Sequence, residues 1–247
     1  MKSEVPAGYR YVKTWHVSDR FATVDSVPVD TAHINFQNAN LIDKFSIANS
    51  YNGNLGSPIQ SKLYFDRPAS TDFIFSNTYF PYLMNIQSAT FYNTKNPYTN
   101  LNYVTGGTSF REEDHIKFIY SANVNKRLNF GATLDYINAG GEYANQASQR
   151  FSGSLFGSFN GKHYSATGLL TTNNLSNFEN GGISDIKNII EPIPTVKTKD
   201  YSTNINGYSN YKFNQLFYNH QYTVGIERPV RINEPGSKGK GFNCRAS

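Results

Sequence analysis

The stretch DHIKFIYSANVNKRLNFGATLDY, residues 114–136, decides the fold. In its first half Ile116, Phe118, Tyr120 and Ala122 share one parity. His115, Lys117, Ser121 and Asn123 share the other, with Ile119 as the apolar exception. Asn125-Lys126 supplies a short turn. Leu128, Phe130, Ala132, Leu134 and Tyr136 then alternate with Asn129, Gly131, Thr133 and Asp135. Successive side chains of a strand point to opposite faces, so this pattern predicts two paired strands, each with an apolar and a polar face.

The reading extends outward. Phe151, Gly153, Leu155, Gly157 and Phe159 alternate with Ser152, Ser154, Phe156 and Ser158. Asn160-Gly161, a strong hairpin signal, comes next. Tyr164, Ala166, Gly168 and Leu170 then alternate with His163, Ser165, Thr167 and Thr171. A third pair is predicted at 201–211 and 214–224, closed by Lys212-Phe213, and a less regular pair at 87–94 and 99–106. The links at 124–127, 160–162 and 212–213 are short, whereas those at 107–113, 138–149 and 173–200 are long. Short links at one end and long loops at the other are the layout of an up-and-down transmembrane barrel. Strands of about 9 to 12 residues suit a tilted bilayer crossing. A soluble sandwich favours shorter strands and Greek-key links, although an antiparallel sheet with one solvated face has the same alternation.

The fold class expected is therefore all-β: an antiparallel, up-and-down outer-membrane β-barrel, here a partial barrel of about six to eight strands, preceded by an irregular N-terminal segment. Residues 1–85 are interrupted by Pro6, Pro28, Pro58, Pro68 and Pro81 and read as an irregular periplasmic or lumen segment, with Asp66 and Arg67 expected to pair inside. Residues 86–226 carry the barrel strands, and 227–247 form an irregular tail. Parity assigns His115, Lys117, Asn129, Asp135, Ser154, His163 and Thr167 to the lumen. It assigns Phe118, Tyr120, Phe130, Leu134, Leu155, Phe159, Tyr164 and Leu170 to lipid. Phe130 and Phe159 lie near short turns and Tyr136 and Phe151 near long loops, as aromatic girdles require. With so few strands the sheet should stay open, with edges near 99–106 and 214–224.

Composition narrows the function classes. The 247 residues include 18 Tyr, 18 Phe and 1 Trp, too aromatic for a disordered chain. No apolar run approaches the roughly 20 residues of a membrane-spanning helix. The formal charge of +5, from 23 basic and 18 acidic residues, is spread along the chain, so no nucleic-acid groove is expected. Cys244 is the single cysteine, which excludes an intrachain disulfide. Met1 to Pro6 has no apolar core of a signal peptide, so the protein is expected either to be cytosolic or to carry its signal upstream.

No catalytic constellation, cofactor or metal site is expected. His16, His33, His115, His163 and His220 show no metal-ligand spacing. Asn52 to Gly56 is Gly-rich but lacks the Lys-Ser/Thr of a phosphate loop. No Gly-x-Ser-x-Gly elbow occurs. Arg111 to His115 is the densest polar run, read as a solvated loop or a cation-binding cluster.

An ordered set of short motifs adds a resemblance. It runs from Pro28-Val29-Asp30-Thr31 and Asn35-Phe36 through Asn54-Leu55-Gly56-Ser57-Pro58 to Phe65-Asp66-Arg67. Pro97 to Tyr103, Gly106-Gly107, Asn123 to Asn129 and Gly141-Glu142-Tyr143 with Gln146 follow. Phe159 to Tyr164 and Glu179-Asn180-Gly181-Gly182-Ile183 complete it. Across 28–224 the chain resembles the "putative porin" family of Bacteroidetes outer membranes, and is read as an amino-terminal part of a longer barrel. The resemblance implies a non-enzymatic outer-membrane porin passing small solutes by diffusion, with outer-membrane lipid as its other partner. A non-conducting structural or surface-interaction barrel and a soluble secreted β-protein are the alternatives. Oligomeric state is left open.

Overall fold

The computed structural model describes residues 12–18, 23–29, 41–67, 74–107 and 111–224. The expected tail, 227–247, lies outside them. Six strands form one antiparallel meander: β6 (Tyr98–Gly106), β7 (Glu113–Asn123), β8 (Leu128–Ala139), β9 (Ser148–Asn160), β10 (Tyr164–Glu179) and β11 (Gly207–Tyr222). Each pairs with its sequence neighbour, in the order β11-β10-β9-β8-β7-β6. Five consecutive links join them: two short, at 124–127 and 161–163, and three longer, at 107–112, 140–147 and 180–206. β6 and β11 are the two edges, and they do not pair with one another, so the sheet is not a closed barrel. The fold is all-β, a partial barrel.

The ladder registers keep parity across the whole sheet. Lys117 lies opposite Asp135, Asp135 opposite Ser152, and Ser152 opposite Asn173. Phe118 lies opposite Leu134, and Leu155 opposite both Ala132 and Leu170. A slip of one residue would reverse every side chain, so the alternation in sequence and the register agree as one pattern.

Three expectations are corrected. The third hairpin, 201–211 with 214–224, is a single 16-residue strand, β11. Lys212 and Phe213 lie opposite Asn174 and Asn173 within the ladder: neither residue favours a turn, and pairing with β10 continues through both positions. β10 correspondingly runs to Glu179 rather than ending near 172. The pair 87–94 with 99–106 does not form. Only Phe91–Thr94 is a strand (β5), and it joins β1 (Val12–Val17) and β2 (Val24–Val27) in a separate sheet of order β2-β1-β5. Phe91 is fully buried between Trp15 and Phe156, a burial that pairing beside β6 would not supply. Asp66 and Arg67 are not paired to each other. Asp66 accepts from Ser46 Oγ at 2.6 Å, and Arg67 Nε donates to the Ser61 carbonyl at 3.0 Å.

The segment read as irregular thus holds short elements. Besides β1 and β2 it contains α1 (Leu41–Phe45), a hairpin of β3 (Asn49–Tyr51) and β4 (Ile59–Ser61), and a 3-10 stretch at Ile74–Tyr82. It packs on one face of the six-stranded sheet in two apolar clusters. Val17, Ile86, Ala89, Phe91 and Tyr92 surround Phe156 and Leu169. Ile42, Ile59, Tyr82 and Leu83 surround Ile137, Ala139 and Leu175. Tyr98, Ile119 and Phe217 of the sheet pack against the first cluster and Tyr211 against the second.

Candidate functional site

The face beneath this N-terminal layer is mostly polar, and the layer is fastened to it by hydrogen bonds. Buried polar groups cost free energy unless they are paired. Asn173 meets that demand with two bonds to one residue of the layer. Its Oδ1 accepts from Met84 N at 2.8 Å, and its Nδ2 donates to the Met84 carbonyl at 2.9 Å. Gln215 Oε1 accepts from Ile86 N at 3.0 Å, and Ser152 Oγ donates to the Tyr82 carbonyl at 3.2 Å. At the long-loop end Asn54 Nδ2 donates to Ser148 Oγ, and Leu55 N donates to Glu113 Oε1 at 2.7 Å. Gly56 makes the close approach there. Its φ is +82°, and a Cβ would meet Ser148 Oγ at 3.0 Å and Arg150 Cγ at 3.2 Å.

Arg150 is the most consequential residue of this face. It is 2% exposed, although arginine is rarely buried. Its Nη1 donates to the Ser176 carbonyl at 2.8 Å and the Gln149 carbonyl at 3.1 Å, and its Nη2 donates to Asn177 Oδ1 at 2.5 Å. The guanidinium carbon sits 4.9 Å from the Tyr79 ring centroid and 5.8 Å from that of Tyr82. No carboxylate pairs with it among the described residues. Two ring faces and three acceptors take that place. Asn177 Nδ2 in turn donates to the Tyr79 hydroxyl, and Tyr82 Oη accepts from Gly56 N at 3.2 Å. Burial pushes both tyrosine hydroxyls above their ordinary range, with Arg150 opposing.

Between the two apolar clusters lies a cavity of about 430 Å³. Its floor is formed by adjacent cross-strand rows, including Asn102, Lys117, Asp135 and Ser152, with Thr133 and Ser154 beside them. Tyr82, Leu83 and Tyr92 contribute to its walls. Asp135 Oδ1 lies 2.9 Å from His115 Nε2.

The residues assigned by parity fall as follows. Asn129 is buried, bonded to Ser121 and Asn123, and Ser154 is buried at the cavity. His115, Lys117 and Asp135 line the cavity, and Thr167 lies on the same face, opposite Ser158. His163 sits in the 161–163 turn, before β10, and is exposed. The other face carries Phe118, Tyr120, Phe130, Leu134, Leu155, Phe159, Tyr164 and Leu170, with Leu155 60% exposed. Aromatic groups gather at both of its ends. Phe159, Tyr164, Tyr218 and His220 cluster beside the 161–163 turn, and Phe178 meets Tyr208 at the long-loop end.

The Arg111–His115 run does not make one site. Arg111 pairs with Glu142, Glu113 with Leu55 N, Asp114 with the Tyr103 hydroxyl, and His115 with Asp135. Among the described residues no group of three or more acidic, His or Cys side chains could hold a metal ion. Arg150, Asn173, Tyr79 and Tyr82 escaped the sequence reading. For Arg150 a signal existed, since it shares the parity of Ser152 and Ser154.

No match was found among curated proteins or among solved structures. The model of the family described as "Putative porin" matches residues 11–243, nearly the whole chain. With an open all-β meander carrying one polar and one apolar face, the chain belongs to the putative porin family.

Proposed function

We propose that the six strands are a sector of an outer-membrane barrel through which small solutes diffuse passively, that the covered polar face lines the aqueous path, and that the N-terminal layer is an insert narrowing it. On this reading His115, Lys117, Asn129, Asp135, Ser154, His163 and Thr167 belong to the lumen side. Phe118, Tyr120, Phe130, Leu134, Leu155, Phe159, Tyr164 and Leu170 face lipid. The observation that carries the reading is the segregation of faces. Leu155, Leu170 and Leu216 are 60%, 49% and 79% exposed on one side, while Ser152, Ser154, Thr171 and Asn173 are buried on the other. Water would favour the opposite arrangement, and a bilayer favours this one. The edges β6 and β11 carry unpaired backbone groups that lipid cannot satisfy, so the reading requires further strands to complete the ring. The protein acts without catalysis and without a cofactor.

A non-conducting barrel is the second reading, favoured by the two apolar clusters that fill part of the polar face. Planar-bilayer recording of the full-length protein separates the two. Steady single-channel conductance is expected from a diffusion pore. Its absence in protein that fractionates with the outer membrane and is correctly folded would favour the second reading.

A further inference from the structure

The cavity has a charge character that the diffusion reading does not specify. Among the described residues three cationic side chains line it, Lys44, Lys117 and Arg150, against one carboxylate, Asp135. Asp135 is engaged by His115. Arg150 is held by Ser176, Gln149 and Asn177, yet its buried Nε has no acceptor. Lys44 is exposed. Lys117 is half-buried in the middle of β7, with Asn102 and Asp135 as its cross-strand neighbours, and has no carboxylate partner among the described residues. With Asp135, its cross-strand neighbour, turned to His115, a half-buried ammonium that forms no close ion pair among the described residues favours an anion beside it.

The surroundings specify the class of anion. About 430 Å³ is the scale of a small-molecule pocket and far exceeds the needs of a bare carboxylate. Ile119, Val104, Leu83 and the rings of Tyr82 and Tyr92 supply apolar wall. Asn102 and the hydroxyls of Thr133 and Ser154 stand near the cationic row. We infer that the cavity binds a small organic carboxylate, with its anionic group on Lys117 and its carbon skeleton against the apolar wall. This rests on the covered face being the solute path, and it names the class of solute that lingers there.

The test uses the full-length protein folded in detergent micelles, with succinate as probe and 1,4-butanediol as its uncharged control, followed by isothermal titration calorimetry. Succinate is expected to bind and butanediol to bind at least about tenfold more weakly. Lys117→Gln should weaken succinate by about tenfold or more, the worth of a charge-assisted hydrogen bond. Lys117→Arg should retain binding and thereby report that the site is intact. Absence of succinate binding, equal binding of butanediol, or an unchanged affinity in Lys117→Gln would each overturn the inference. Loss in Lys117→Arg as well would show that shape rather than charge decides, and would overturn it too. Failure of conductance with succinate binding intact would remove the diffusion reading and leave the site standing.

Discussion

Replacing Arg150 by methionine is expected to loosen the N-terminal layer at Leu83 and Met84 while the six-stranded sheet persists. The guanidinium reaches that layer in two ways. It lies over the rings of Tyr79 and Tyr82, 4.9 and 5.8 Å from their centroids. It also fixes Asn177, whose amide donates to the Tyr79 hydroxyl. A desolvated cation–π contact is worth up to about 2 kcal/mol and a neutral hydrogen bond about 1 kcal/mol. Allowing for partial compensation, undocking of the 79–84 segment should become easier by about 2–4 kcal/mol, which raises its open population roughly thirty- to a thousandfold. Global stability should change much less, because methionine fills similar space and removes the cost of burying a charge. Hydrogen exchange reads the difference. The amides of Leu83 and Met84, bonded to the Phe80 carbonyl and Asn173 Oδ1, should exchange faster in the variant. Central amides of β8 and β9 should not. A double-mutant cycle with Tyr79→Leu should show coupling above about 0.5 kcal/mol. Unchanged exchange at Leu83 and Met84 in Arg150→Met, or additive effects in the cycle, would refute the reasoning.

Two further outcomes follow from the sheet itself. Leu134→Arg, near the middle of β8 on the apolar face, should impair membrane insertion by about 2–4 kcal/mol, read as loss of heat-modifiable folded protein in micelles or vesicles. Asp135→Asn on the opposite face should leave that assay nearly unchanged. Gly131→Ala should destabilise the sheet by about 1–3 kcal/mol in urea titration, because its Cβ would fall within 2.4 Å of the Tyr120 carbonyl oxygen and nearer still to the Phe156 ring. A neutral outcome would show that the two strands separate more easily than their packing implies.

The elements legible in the sequence were those whose energetics are local. Alternation over 114–136 and 151–171 placed β7, β8, β9 and the start of β10, because one-face burial writes a period of two directly into the chain. Asn160-Gly161 marked its turn for the same kind of reason: backbone preference acts over two residues. The same logic misled at Lys212-Phe213. Neither residue carries a turn preference, and the alternation changes parity between Phe213 and Leu216, so only the pairing with β10 shows that the strand continues.

Tertiary structure decided the rest. β5 pairs with β1 across some eighty residues of chain, and the hydrogen bonds of Asn173 to Met84 and of Gln215 to Ile86 span 89 and 129 residues. No short-range periodicity records such pairings. Burial of Arg150 likewise depends on Tyr79 and Tyr82 arriving from a distant segment, so a charge that reads as solvated in one dimension becomes an anchor in three. The sequence by itself determined which side chains share a face, since parity is a property of the strand. Only the packed chain determined what covers that face and where the cavity remains, since those depend on contacts whose partners lie far apart in sequence.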